Sequence, residues 1–402
     1  MLTKDEKFLS HCSNLFKNQS RSAHDSFKVI AWEKFNQLGL PKKKSDPFQH
    51  VSLDRLFGLD FAEQTGMDHD LSDYDFILKD GELIAVNENQ EDLVGLSVFT
   101  LKKAALSYGS YLNKRVQSLA NSKQVSPFAL LNCSLSQNGL FLYLKKGVEI
   151  KRPIRIAICD QTPQLFFFGD ESSKATFIVQ PLLNNNSFFN GLVDLNVEKN
   201  SQMTLLYDNH FEDNSVEMNH FSATVKRDSN LKVMATCKGS NLTRLQFDAD
   251  LLGENGYCDF QAFAICKNKA QFHSHVQVNH KAPQCESNQL VKHLLFDQSK
   301  TSFTGKIYVD QVAQQTNAYQ LNRNLLLSSD ASAHSKPGLE IFADDVKASH
   351  GATIATIDDE LMFYMLSRGI SKKESRKFLI RAFAKEMIDA IFCEKIKSAY
   401  RM

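Results

Sequence analysis

The sequence predicts a mainly β chain with helical regions at both ends. Two observations carry this. From about Pro127 to about residue 355 apolar residues alternate with polar ones at period two, and before and after that stretch the apolar spacing is helical. The length agrees, because 402 residues exceed what one compact core usually holds and call for several domains or an extended repetitive fold. The expected division is a mostly helical region over 1–126, a β core over 127–355 and a helical region over 356–402.

In the first region, Ser26–Leu38 places Phe27, Ile30, Ala31, Lys34 and Phe35 at helical spacing and stops at Gly39 before Pro41. Lys42-Lys43-Lys44 then reads as a solvated turn. A loop-rich passage is expected around Asp60–Asp80, and a second helix over Gly95–Leu119, with Leu96, Phe99, Leu106, Leu112, Val116 and Leu119 on one side. In the β core, short apolar runs begin near residues 140, 154, 165, 176, 192, 203, 221, 231, 242 and 257. Turn residues separate them, among them Asn184-Asn185-Asn186, Lys199-Asn200 and Glu254-Asn255-Gly256. Ile154, Ile156 and Ile158 share one face, as do Leu231, Val233, Ala235 and Cys237. No helical pattern interrupts the stretch, which argues against a doubly wound α/β fold. Periodicity alone leaves two architectures, a large sandwich or a β-solenoid.

The last region opens with acids, Asp358-Asp359-Glu360, ahead of Leu361, Met362 and Met365, and its first helix ends at Gly369. Ser371 and Glu374 then have the spacing of a capping box. The helix that follows carries Leu379, Ala382, Phe383, Met387, Ile391 and Ile396 near one face, with Lys395, Lys397 and Arg401 at its C-terminal end. Two uses fit this amphipathic pair. It covers the open end of the β region, or it presents Leu379, Phe383, Met387 and Ile391 to a partner.

Composition narrows the function. Lys+Arg number 47 against Asp+Glu 46, so no overall field favours nucleic acid or a membrane surface. No uninterrupted apolar run reaches the ~20 residues of a membrane helix, and the first residues lack the form of a secretory signal. The eight cysteines (12, 133, 159, 237, 258, 266, 285 and 393) form no Cys-x-x-Cys pair. Reduced thiols in the cytosol are therefore expected.

The usual catalytic signatures are missing: there is no P-loop, nucleophile elbow, dinucleotide fingerprint or H-E-x-x-H. The densest cluster of chemistry is Phe272–Cys285. His273 and His275 fall on one face of an expected strand, which geometry allows to chelate a metal. With Ser274, Val276 and Val278 on the other face, the histidine face is most simply solvated. Cys285 reads either as a core thiol or as a reactive one. In Lys347–Thr353 a single histidine, His350, stands among small residues. It is either structural or a ligand with an accessible ring, neutral imidazole being a good soft-metal ligand.

Three segments of the C-terminal half resemble the SufB/SufD family of iron–sulfur cluster assembly scaffolds: Phe303–Ser328, Lys336–Thr353 and Asp358–Ile388. Asn279–Ser287 is similar to the family's N-x-A-P-x-C-x-S passage, and Phe128–Ile154 resembles the start of its core. The form ADDVKASHGAT (Ala343–Thr353) resembles the SufD type; SufB carries a different motif there. At the N-terminus only Gly39–Phe48 resembles the family, since Phe48–Leu53 departs from its aromatic motif. The resemblance implies a right-handed parallel β-helix between helical ends, which pairs with SufB through the end of the β-helix and docks the ATPase SufC on its C-terminal helices. It implies a non-catalytic cytoplasmic scaffold in a SufBCD complex, with His350 at the SufB interface where a nascent cluster is held. Many relatives carry cysteine where Ala348 stands, so imidazole is the ligand this chain offers. The cofactor implied is a transient iron–sulfur cluster shared with the partner, none being held stably by this chain alone. Two rivals stand beside this reading. A β-helix enzyme acting on polysaccharide would need an export signal and clustered acids. A self-associating homodimer of SufD type would have a storage or chaperone role.

Overall fold

The structure, a computed structural model, describes residues 3–19, 26–42, 46–59, 70–86, 91–122, 125–182, 187–211 and 215–401. Lys43, Lys44, Asn184–Asn186 and residues 60–69 of the expected loop passage lie outside them. The N-terminal part contains helices α1 (Lys4–Asn18) and α2 (Ser26–Leu38), strands β1 (Phe76–Lys79), β2 (Glu82–Ala85) and β3 (Leu96–Thr100), and helices α3 (Leu101–Asn121) and α4 (Pro127–Leu135). The helix expected from Gly95 starts late. Its first residues form β3, and Thr100 caps α3 by accepting the Lys103 amide.

Among the described residues sixteen strands follow without an intervening helix. They are β4 (Gly139–Leu144), β5 (Ile154–Ile158), β6 (Gln164–Gly169), β7 (Lys174–Pro181), β8 (Phe188–Val197), β9 (Gln202–Phe211), β10 (Val216–Val225) and β11 (Asn230–Gly239). Next come β12 (Leu242–Leu251), β13 (Tyr257–Cys266), β14 (Gln271–His280), β15 (Glu286–Leu295), β16 (Lys300–Val309), β17 (Thr316–Leu326), β18 (Ser332–Ile341) and β19 (Val346–Ala355). Odd-numbered strands from β5 to β19 pair side by side, parallel, in one sheet; even-numbered strands from β4 to β18 do the same in a second. The chain alternates between the sheets, which makes a β-solenoid of about seven turns. Of the two architectures that periodicity allowed, this is the solenoid. Strands β1, β2 and β3 extend the sheets at the early end, so the N-terminal part is less purely helical than expected.

The repeat lies in turn geometry, which is why no strict sequence repeat shows it. Ser172, Asn200, Asp228, Asn255, Gln284 and Gln315 all have φ near +60°, each 27 to 31 residues after the last. Their amides donate to carbonyls one turn on, Asn200 to Arg227 and Gln284 to Gln314 among them. Asn and Asp tolerate this left-handed conformation better than most residues.

Period two sends alternate side chains between the sheets. Ile154, Ile156 and Ile158, and Leu231, Val233, Ala235 and Cys237, all enter the lumen. Phe247 and Phe260 meet there from opposite sheets, ring centroids 4.4 Å apart. Helices cover the outer faces. The N-terminal helices lay Phe8, Phe35, Leu112 and Val116 on Phe141, Phe166, Leu192 and Met218 of the nine-stranded sheet. Across that contact Arg115 grips Asp194 with two hydrogen bonds, at 2.6 and 2.8 Å. Helix α5 (Asp359–Ser367) touches α6 (Lys372–Ala390), and α6 and α7 (Glu394–Tyr400) lie against the ten-stranded sheet, packing on Leu206, Met234, Phe263 and Leu294. The Ser371–Glu374 capping box is present at the start of α6. Lys292 pairs with Glu386 at 2.5 Å, and the Tyr400 hydroxyl donates to Asp208. These helices therefore cover a side of the solenoid, not its end.

Removing one partner of a buried ion pair strands the other. Arg115→Met is expected to lower unfolding free energy by about 3–5 kcal/mol, measured by urea denaturation, because Asp194 is left charged and enclosed.

Candidate functional site

The late end of the solenoid is uncovered. Strands β18 and β19 are the last in their sheets, so each presents one unpaired row of backbone N–H and C=O groups. In-register pairing sets which side chains point into the lumen there. Ala348 continues the row of Ala318, and His350 continues the row of Gln320. Ala318 is buried in the lumen with Ile307 and Val309, and Ala348 packs against that group. His350 thus lies on the inward face, yet it is exposed, because no further turn covers it. Ile341, Phe342 and Ile354 add exposed apolar surface to the same end.

The other sequence candidates are placed differently. His273 and His275 do share the outward face of β14, but a distant segment lies over it, burying His273 and half-burying His275. Residues 46–55 run across it: Phe48 lies over Arg244 at 4.1 Å, and Ser52 exchanges hydrogen bonds with Gln271 at 3.0 and 3.2 Å. Beneath this strap His273 is buried, its Nδ1 2.7 Å from Ser302 Oγ and its Nε2 3.1 Å from Gln271 Oε1. With both nitrogens engaged it has none left for a metal. Loss of solvation, with Arg244 nearby, pushes both His273 and His275 down to about 3. The expectation failed because period two identifies the face but not what lies over it.

Cys285 resolves to a core thiol. It is buried, donates to the Gly253 carbonyl at 3.2 Å, and burial pushes its pKa up, the reverse of what a nucleophile needs. Met387 on α6 and Ile391 at its C-cap are fully buried against the ten-stranded sheet, and Phe383 is half-buried with Lys292 Nζ 5.4 Å from its ring centre. Leu379 is half-buried as well. The apolar face seen in the sequence is the one that holds the helix to the solenoid, so Met387 and Ile391 are not free for a partner.

A second apolar surface lies on the C-terminal helices. Helix α5 buries none of its residues; Leu361, Phe363, Tyr364, Leu366 and Ile370 are exposed, as is Phe378 on α6, with Phe363 at 72 % and Phe378 at 62 %. Apolar residues on every side of Leu361–Leu366 were the available signal, since a single contact covers only one side of a helix.

The site is thus one accessible imidazole at the open end of a parallel solenoid, beside two free strand edges. The sequence matches a known family over most of the chain. Residues 159–383 match the family described as SUF system FeS cluster assembly, SufBD core domain, and residues 68–156 match the SufBD protein N-terminal region. The chain belongs to the SufBD family of iron–sulfur cluster assembly proteins. It is similar to the iron–sulfur cluster assembly protein SufD of Escherichia coli, 28% identical over 381 residues that cover 90% of this chain and 88% of that protein. An iron–sulfur cluster assembly SufBD family protein of Synechocystis is 27% identical over 386 residues, 88% of this chain and 84% of that one. SufD of Bacillus subtilis is 24% identical over 277 residues, 66% of this chain and 63% of that protein. Among the described residues no helix is long and apolar enough to cross a membrane.

The buried histidines make stability depend on pH. His220, His273 and His275 are depressed to about 3, His280 and His293 to about 4, in each case chiefly by burial. In the unfolded chain they would bind protons near ~6.5, so below that pH the unfolded state holds more protons. Stability should fall as pH drops from about 6.5 toward about 4, by roughly 1.4 kcal/mol per pH unit for each such histidine. Urea unfolding at stepped pH tests this, and His273→Gln should flatten the dependence by about one proton.

Proposed function

We propose that this chain is the SufD-type scaffold subunit of a SufBCD-like complex. It pairs through its open end with a SufB-like scaffold, and it lends His350 as a nitrogen ligand to a nascent iron–sulfur cluster held at the shared interface. The observation that carries this is the placement of His350, on an inward row at the last turn, where among the described residues no strand pairs beyond β19. Two unpaired edges and an apolar fringe of Ile341, Phe342 and Ile354 suit strand-to-strand docking there. Among the described residues no three His, Cys, Asp or Glu side chains group as a metal site would require. The cluster is cargo, His350 is a single donor toward it, and its other ligands come from the partner, Ala348 supplying no thiolate.

The ATPase subunit docks on the C-terminal helices, at α5 and the exposed side of α6. Leu361, Phe363, Tyr364, Leu366 and Phe378 form an apolar surface of the kind that marks protein partners. This chain's own part in assembly is to hold and position, with nucleotide chemistry left to that subunit. A second copy of the chain could pair through the same edges, and its mass in solution with and without the SufB-like partner distinguishes the two assemblies.

In the reconstituted complex, His350→Ala should sharply reduce bound iron and sulfide while the subunits still co-purify; unchanged iron and sulfide would sink the ligand role. Phe363→Asp should weaken binding of the ATPase subunit by tenfold or more, about 1.4 kcal/mol, with His350-dependent pairing intact. Calorimetric titration of the ATPase subunit reads that loss.

A further inference from the structure

The lumen changes character toward its open end. Along one inward row of the ten-stranded sheet, register places Phe260, Gln289, Gln320 and His350 in successive turns. Aromatic packing gives way to two amides and then to the imidazole. Gln320 is enclosed, and its Nε2 donates to Gln289 Oε1 at 2.5 Å, back toward the closed part of the solenoid. Its Oε1 has no partner, although it is buried. An enclosed amide oxygen left unpaired is uncommon, because burial removes the water that would otherwise serve it.

The opposite wall is shaped around this amide. A Cβ at Gly305 would lie 2.3 Å from Gln320 Nε2, so the glycine gives the carboxamide its room. One turn beyond Gly305 in the same row stands Pro337, and neither residue has a side-chain donor. The next inward side chain on Gln320's own row is His350.

We infer that Gln320 is a positioning residue for His350: its free carboxamide oxygen takes one ring N–H and turns the other ring nitrogen out of the lumen. Such a partner fixes the tautomer and aims the lone pair of the ligating nitrogen. The inference rests on the reading of His350 as a ligand, and it supplies what an exposed ring lacks, a fixed orientation.

The test is tautomer-resolved NMR on the full chain labelled with 15N-histidine, the His350 signals being those lost in His350→Ala. Wild type should show one neutral tautomer predominating at His350. Gln320→Met, similar in volume without the acceptor, should give a mixture, and Gln320→Glu should restore the single form by accepting the same N–H. A mixture in the wild type, or the same pattern in wild type and Gln320→Met, overturns the inference, and the wild-type measurement needs no variant to fold. In the complex, Gln320→Met should lower bound iron about tenfold, with Gln320→Glu close to wild type. The NMR measurement contains no cluster. If His350→Ala leaves iron unchanged while the tautomer shift is found, the ligand reading fails and the positioning stands.

Discussion

Parallel strands stacked in register give every inward side chain a neighbour in the turn before and the turn after. The remaining features of the molecule follow from this pairing. Through the middle turns most inward residues are apolar, and the polar ones among them, such as Glu217 and His293, are enclosed and hydrogen-bonded to their neighbours, Glu217 to Asn219 and Thr243 and His293 to Asn324. At the last turn each row loses one neighbour while the backbone still points its side chains inward. His350 therefore belongs to the lumen by direction and to solvent by exposure. An imidazole held in a regular lattice of strands is placed more firmly than one on a loop.

The helices leave that end open because their anchors lie elsewhere. Arg115 on Asp194 ties α3 to the middle of the nine-stranded sheet. On the other sheet, Lys292 with Glu386 and Tyr400 with Asp208 fix α6 and α7 along the side. The strap over His273 and His275 reaches β18, where His50 stacks on His334 with ring centroids 3.9 Å apart. It covers the outside of the nine-stranded sheet and leaves the lumen mouth free. Outer coverings over His220, His273 and His275, and the lumen around His280 and His293, hold these histidines neutral, at a cost that appears only when the medium is acid enough to protonate the unfolded chain.

Much of this was legible from the residues. Period two places the starts of β4 to β13 to within five positions, Ser26–Leu38 and the Ser371–Glu374 cap agree with the structure, and the residues that share a face at Ile154 and Leu231 do share one. Periodicity could not choose between sandwich and solenoid, since both bury one face. The deciding repeat is a left-handed turn residue that changes identity from Ser to Asn, Asp and Gln. Covering layers were the main illegible feature. His273 and His275 looked solvated, and Met387 and Ile391 looked available, because a strand or helix pattern shows which residues share a face but not whether a distant segment lies upon it. The family resemblance selected His350. That His350 is the next inward residue after Gln320, whose side-chain oxygen is unpaired, depends on a register 30 residues apart, which no local pattern reveals.

The central claim is that His350 supplies nitrogen to a cluster shared between two subunits. Pulsed electron paramagnetic resonance of the reduced, cluster-loaded complex tests it most directly, with 15N-histidine in this subunit alone. The account predicts a 15N coupling from one directly bound imidazole, absent when His350 is replaced by alanine. A cluster spectrum with no such coupling, or with a coupling that survives the replacement, would contradict it.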